Sequence, residues 1–170
     1  AMAAVTIGDP SAHPEVDMGP VINGGALQKI QGKVDRAVQE GAEIAVGGKI
    51  ADLGNGGFFF QPTVVTGCGK AMDIMRKEAF GPVLPIQTVD SLDEAIALSN
   101  DSEYGLTSSI YTKSLSKAMY AVDRIDFGET YINRENFEAM QGFHAGTRKS
   151  GIGGADGKHG LYEYTHTHVV

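Results

Sequence analysis

One thiol, five histidines and a glycine-dense run are the groups in this chain whose types invite chemistry. Cys68 stands between Gly67 and Gly69. A thiol attacks as the thiolate, and that needs a cation or a helix N-terminus to lower its pKa. Lys70 is the one nearby base, so a small loop residue is the simpler reading of Cys68. His166 and His168 form an H-x-H, which puts both imidazoles on one face of a strand, where they could hold a metal. The spacing places no third ligand, so a half-exposed strand face is favoured and no metal site is assigned. The run GIGGADG (151–157) invites comparison with a dinucleotide loop. That fingerprint needs its glycines between a strand and a helix, with an acidic residue about 20 positions further on. No apolar strand precedes these glycines and no helical period follows. A phosphate-binding GxxxxGK[ST] does not occur, and Ser108 and Ser109 lie in no G-x-S-x-G elbow.

The elements that must position any site alternate along the chain. Leu27, Ile30, Val34 and Val38 recur at helical spacing within 26–40, and Gly41 follows as a stop. EIAVGG reads as a short strand. FFFQPTVV (58–65) reads as another, with Pro62 marking an edge or a bulge. VLPIQTV (83–89) is a third strand. Ser91 and Glu94 have capping-box spacing and open a helix over 92–99. TSSIYT (107–112) is strand-like. Ser114 then caps a helix over 115–124 whose Leu115, Met119 and Val122 share one face. ETYIN (129–133) and YEYTHTHVV (162–170) are the last two expected strands. Strands separated by helices of this length imply parallel pairing with right-handed crossovers, hence an α/β layer fold. Residues 134–160 break the rhythm, with seven glycines and no clear period. They are a surface excursion or a functional segment.

Composition bounds the function. A chain of 170 residues is long enough for one domain with its own core. Fourteen Lys and Arg against 21 Asp and Glu give a net charge of −7, which argues against nucleic acid or an acidic membrane surface as partner. A single cysteine excludes an intrachain disulfide and allows a reducing, cytoplasmic setting. No apolar run approaches the roughly 20 residues that span a bilayer. The opening AMAAVTIGDP has no basic n-region, so it does not read as a signal peptide. Its abruptness fits a cloning scar or an internal start.

KEAFGPV (77–83) is the informative segment. With GDP (8–10), MGPVIN (18–23), FFFQPTVV (58–65), SNDSEYGLTSSIYT (99–112), GETYIN (128–133) and RKSGIGG (148–154), it resembles the aldehyde dehydrogenase superfamily. The resemblance is collinear and covers nearly the whole chain. INRENFEAMQGFHAG followed by RKSGIGGADGKHGL is similar to the bacterial lactaldehyde and glycolaldehyde dehydrogenases within it.

That resemblance implies an α/β fold: residues 1–160 as the C-terminal portion of the three-layer, parallel-sheet catalytic domain, and 161–170 as an oligomerisation strand. The nucleotide-binding domain, the nucleophilic cysteine and the general-base glutamate belong to the family's upstream part. No catalytic residue is therefore assigned, and Cys68 falls at a variable loop position. In the full-length parent, an aldehyde would be oxidised through a thiohemiacetal on the upstream cysteine. Hydride would pass to NAD or NADP, and water would hydrolyse the thioester. Two cofactor contacts carry over: Glu78 to the nicotinamide ribose, and Phe80 beside the nicotinamide ring. The family's aldehyde tunnel implies substrate contacts at Arg134, Glu138, Phe143 and His144.

Relatives acting on aliphatic or aromatic aldehydes usually place apolar groups at the positions of Glu138 and His144. Polar groups left unpaired by an apolar substrate are costly, and hydroxyls satisfy them. The implied substrate is a small hydroxyaldehyde such as lactaldehyde or glycolaldehyde. The 170 residues alone are expected to bind no cofactor and to be inactive. The alternative is a non-catalytic oligomerisation or binding module, because an edge strand such as YTHTHVV can pair with another sheet edge. Its partner would be a second copy or the missing N-terminal part.

Overall fold

The computed structural model describes residues 1–170, which divide into two units, Ala1–Thr88 and Val89–Val170. In the first unit, Asn23 starts helix α1 (Gly24–Gln39) by accepting the Ala26 N–H at 2.8 Å. Leu27, Ile30 and Val34 are buried as their spacing predicts. Val38 is not: it lies at the rim of the apolar stripe and is exposed, while Ala37 is buried in its stead. Strand β1 (Glu43–Val46) is followed by β2 (Ile50–Ala51), β3 (Phe59–Phe60), β4 (Thr63–Thr66) and β5 (Val83–Pro85).

The strand expected over 58–65 is thus two strands in different sheets. β3 pairs antiparallel with β2, while β4 stands between β1, antiparallel, and β5, parallel. Pro62 has no N–H to donate, and the ladder breaks there. The sheets are mixed rather than parallel throughout, and the strand expected over 83–89 stops at Pro85.

The core of this unit lies between α1 and the sheet. Leu27, Ile30, Val34 and Phe60 form one cluster, and Ala37, Ala42, Val65, Cys68 and Ile74 form another, with Val83 against both. Short helix α2 (Asp73–Arg76) is tied to α1 by Lys33 Nζ and Asp73 Oδ2, 2.8 Å apart. That bond holds the Asp73 carboxyl below the usual carboxylate range. Its stabilising share is therefore present above the ordinary Asp pKa and is lost on acidification. Gly81 follows Phe80 where a Cβ would stand 2.4 Å from Ile30 Cδ1, deep in the core. The G of the EAFGPV motif is thus a packing requirement.

In the second unit, Ser91 caps α3 (Leu92–Asn100) by accepting the Glu94 N–H. Glu94 reaches back to the Asp90 N–H at 2.9 Å, one residue beyond a strict capping box. Strand β6 (Thr107–Ile110), helix α4 (Leu115–Val122) and strand β7 (Glu129–Ile132) follow. β6 and β7 are parallel, with Thr107 opposite Glu129 and Ile110 opposite Ile132. The face expected for α4 is corrected: Ala118 and Ala121 are buried, while Leu115 and Met119 are exposed. The two alanines allow close approach, and Leu115 borders an open recess of ≈ 770 Å³ with Tyr111 and Ile132.

The segment 134–160 contains β8 (His144–Ala145), a 3-10 turn (Arg148–Ser150), β9 (Gly154–Ala155) antiparallel to β8, and the start of α5 (Gly157–Glu163). A short helix does therefore follow the glycines of 151–157, contrary to expectation. It also takes up Tyr162, so the strand expected over 162–170 is not formed in the single chain. Residues 164–170 are exposed and pair with no strand.

The motif SNDSEYGLT is a clasp for this unit. Asn100 Oδ1 accepts the Asp126 N–H at 2.8 Å, and its Nδ2 donates to the Arg124 carbonyl at 2.7 Å. Arg148 donates to the Asn100 carbonyl at 3.1 Å and to that of Asp126 at 2.8 Å. No helix is long and apolar enough to cross a membrane.

Candidate functional site

β7 places Glu129 and Tyr131 on one face, two residues apart. β8 brings His144 to the same place. His144 Nδ1 lies 2.6 Å from Glu129 Oε1, and the Tyr131 hydroxyl donates to Glu129 Oε2. The Glu129 side chain is 12% exposed and that of His144 28%. The bond to the Glu129 carboxylate, with burial and the charge of that carboxylate, pushes Tyr131 up to about 12. Arg134 opposes this rise and Glu138 adds to it, so both charges act on the ring. Tyr131 consequently stays protonated and donating at neutral pH.

Arg134 is set by the chain reversal after β7. Asn133 has φ of 55°, a left-handed conformation that asparagine tolerates, and its side chain makes two 2.9 Å bonds to the Thr112 backbone. The Arg134 guanidinium then lies over the Tyr131 ring, 5.0 Å from its centroid. Phe143 is half-buried and helps line a cavity of ≈ 240 Å³ with Glu129, Tyr131, Ala139 and Gly142. Its ring meets that of His159 at 5.6 Å between centroids. Glu138 is exposed and makes no hydrogen bond or ion pair. Of the four residues expected to contact substrate, Arg134, Phe143 and His144 gather about the Glu129–Tyr131 pair, and Glu138 reaches it through its charge.

Glu78 and Phe80 belong to the other unit. Glu78 is exposed and free of hydrogen bonds. Phe80 has φ of 49° and is 82% exposed, an unusual conformation for so large a side chain. It borders a cavity of ≈ 330 Å³ with Ile22, Asn23, Lys29 and Ala79. Cys68 lies in the core, where burial pushes its thiol up, and its Sγ faces the Val65 carbonyl. A thiol so placed is not poised as a nucleophile. His166 and His168 are exposed, and no group of three or more metal-binding side chains exists.

Glu129 and Tyr131 were not among the residues the sequence singled out. The available signal was a carboxylate within a strand otherwise of β-branched and aromatic residues, ETYI.

Comparison with known proteins finds the same relationships over the full length. The aldehyde dehydrogenase family matches residues 1–170. Lactaldehyde dehydrogenase of Escherichia coli K12 is 57% identical over 170 residues, which are 100% of this chain and 35% of that protein. Its crystal structure superposes with a TM-score of 0.95, covering 99% of this chain and 35% of that one. Betaine aldehyde dehydrogenase of Staphylococcus aureus, solved in complex with NAD+, is 39% identical with a TM-score of 0.88, covering 94% of this chain and 32% of that one. The chain thus spans about a third of the length of the relatives it matches.

Proposed function

This chain belongs to the aldehyde dehydrogenase family, and we propose that it is the C-terminal portion of that family's catalytic domain, within an enzyme oxidising small hydroxyaldehydes. Lactaldehyde and glycolaldehyde are the proposed substrates. The observation that carries the reading is the polar cluster of His144, Glu129, Tyr131 and Arg134 beside the recess walled by Phe143. An apolar aldehyde would leave the open Nε2 of His144 desolvated and unpaired, whereas a hydroxyl satisfies it. Glu138 and His144 would take the substrate hydroxyl, with Arg134 and Phe143 shaping the wall.

Glu78 and Phe80 suit NAD or NADP. A free carboxylate can accept from two vicinal ribose hydroxyls, and an exposed ring two residues on can pack beside a nicotinamide. The bound nucleotide would supply the hydride acceptor. The nucleophile, the general base and the rest of the nucleotide site would come from outside these residues. We further place residues 1–160 in a three-layer sheet domain, assign 161–170 to the oligomerisation element with its strand formed beyond α5 by 164–170, and locate the enzyme in the cytoplasm.

The test is NADH formation from glycolaldehyde. Residues 1–170 alone are expected to give none above buffer. A full-length enzyme carrying them is expected to turn over with glycolaldehyde in preference to propanal. Clear turnover by the 170 residues, or a preference for propanal, sinks the reading.

A second reading, an assembly module, is favoured by the fully exposed run of residues 164–170, which ends on Val169 and Val170. Multi-angle light scattering separates the two. Dimers or larger species lost on deleting 164–170 support the module, and a clean monomer argues against it.

A further inference from the structure

The bond between His144 and Glu129 turns Nδ1 of the ring to the carboxylate. An ionised carboxylate accepts and cannot donate, so the 2.6 Å contact to Oε1 needs hydrogen on Nδ1. The Tyr131 hydroxyl occupies the other carboxylate oxygen. Glu129 therefore has both oxygens engaged, and its side chain is almost enclosed. Its backbone is equally fixed, because the Glu129 N–H donates to the Leu106 carbonyl at 3.1 Å. Nε2 of His144 makes no hydrogen bond within the chain.

Resting on the reading that His144 meets the substrate, we infer that Glu129 is a positioning residue: when the His144 ring is neutral, Glu129 holds its one proton on Nδ1 and so presents Nε2 to the substrate as an acceptor. A free imidazole prefers the opposite tautomer, so a held carboxylate is what reverses the choice. Arg134 lies over the Tyr131 ring, and the Glu138 side chain is exposed. A hydroxyl has one hydrogen, and His144 Nε2, held in place before substrate arrives, is the acceptor aimed to take it. The site selects an aldehyde whose hydroxyl has a hydrogen to give, and it disfavours the methyl ether of the same chain.

The tautomer is read directly by nitrogen NMR on residues 1–170 labelled with 15N-histidine, at a pH where the ring is neutral. His144→Asn assigns the signal. The expected pattern is a pyrrole-like Nδ1 and a pyridine-like Nε2. Glu129→Leu and Glu129→Met each remove the acceptor and should shift His144 to the Nε2–H form; either suffices if the other fails to fold. Tyr131→Phe should leave the Nδ1–H form in place. A wild-type ring carrying its proton on Nε2, or a pattern unmoved by both Glu129 variants, overturns the inference.

These signals need no substrate, so they stand or fall apart from the hydroxyaldehyde reading. The second arm compares kcat/KM for glycolaldehyde and methoxyacetaldehyde in a full-length enzyme carrying this chain. Glu129→Leu should shrink the glycolaldehyde preference about tenfold. A preference that is absent from the wild type, with the tautomer as expected, overturns the substrate reading and leaves the positioning role supported.

Discussion

Replacing Gly128 with alanine is expected to cost more than about 3 kcal/mol of stability and to break the His144–Glu129 bond. A Cβ at this position would stand 1.5 Å from the Ala145 carbonyl oxygen and 2.7 Å from its carbon. Both are backbone atoms, so no side chain can rotate away. On the other side, the Gly128 N–H donates to the Gly105 carbonyl at 3.1 Å, and the Leu106 carbonyl lies 3.2 Å from the same Cβ. The strain must be relieved by moving β7 or β8. β8 carries His144 beside Ala145, and β7 begins with Glu129. Any shift that clears the clash separates the two halves of the pair.

Denaturant unfolding monitored by circular dichroism measures the cost, and the His144 nitrogen signals measure the loss of the pair. Gly32→Ala is the matched control. Gly32 lies within α1, where an added methyl would have nothing within 4 Å, and alanine there should raise stability by up to about 1 kcal/mol. A Gly128→Ala protein as stable as the parent, with His144 unchanged, would show that β7 and β8 do not meet as described.

Local chemistry made much of this fold legible. Ser91 and Ser114 each sit one residue before a helix and accept an N–H from its first turn, so those two helix starts could be read from residue type alone, whereas Asn23 does the same for α1, which begins two residues before the start that apolar spacing marks. The strands at 43–46, 107–110 and 129–132 followed from short runs rich in β-branched or aromatic residues between turns. The misses have nonlocal causes. Phe59–Phe60 and Thr63–Thr66 looked like one strand because nothing local says that they pair with different partners. Leu115 and Met119 looked like the buried face of α4, yet the surface α4 meets accepts alanines better than longer side chains.

The candidate site divides in the same way. Arg134, Phe143 and His144 were reached through motifs. Glu129 and Tyr131 were passed over because their significance depends on a histidine 15 residues downstream of the glutamate. A carboxylate in a strand reads as an exposed polar position until its partner is seen. The turns also hide such links: left-handed Asn133 and Arg148 set the directions of the segments that follow, and period alone does not reveal them.

Exchanging Glu138 for leucine and His144 for phenylalanine together, in a full-length enzyme carrying this chain, is expected to lower the preference for lactaldehyde over propanal by about 100-fold. The double variant removes every acceptor for the one hydroxyl hydrogen, and losing a hydrogen bond to a charged group costs about 1.5–3 kcal/mol, whose upper end is roughly 100-fold. The change should fall on kcat/KM for the hydroxyaldehyde, because propanal has no hydroxyl to lose a partner and gains apolar contact. The two shares should be unequal. His144 is 28% exposed and held by Glu129, so its nitrogen is aimed before substrate arrives. Glu138 is exposed and has no partner, so ordering it on binding consumes part of what its bond supplies. His144→Phe alone should therefore lose more selectivity than Glu138→Leu alone. Their effects need not add, since both act on one small hydroxylated substrate. An unchanged lactaldehyde-to-propanal ratio in the double variant would remove the polar wall as the source of selectivity. Equal losses in the two single variants would instead deny the advantage assigned to the held histidine.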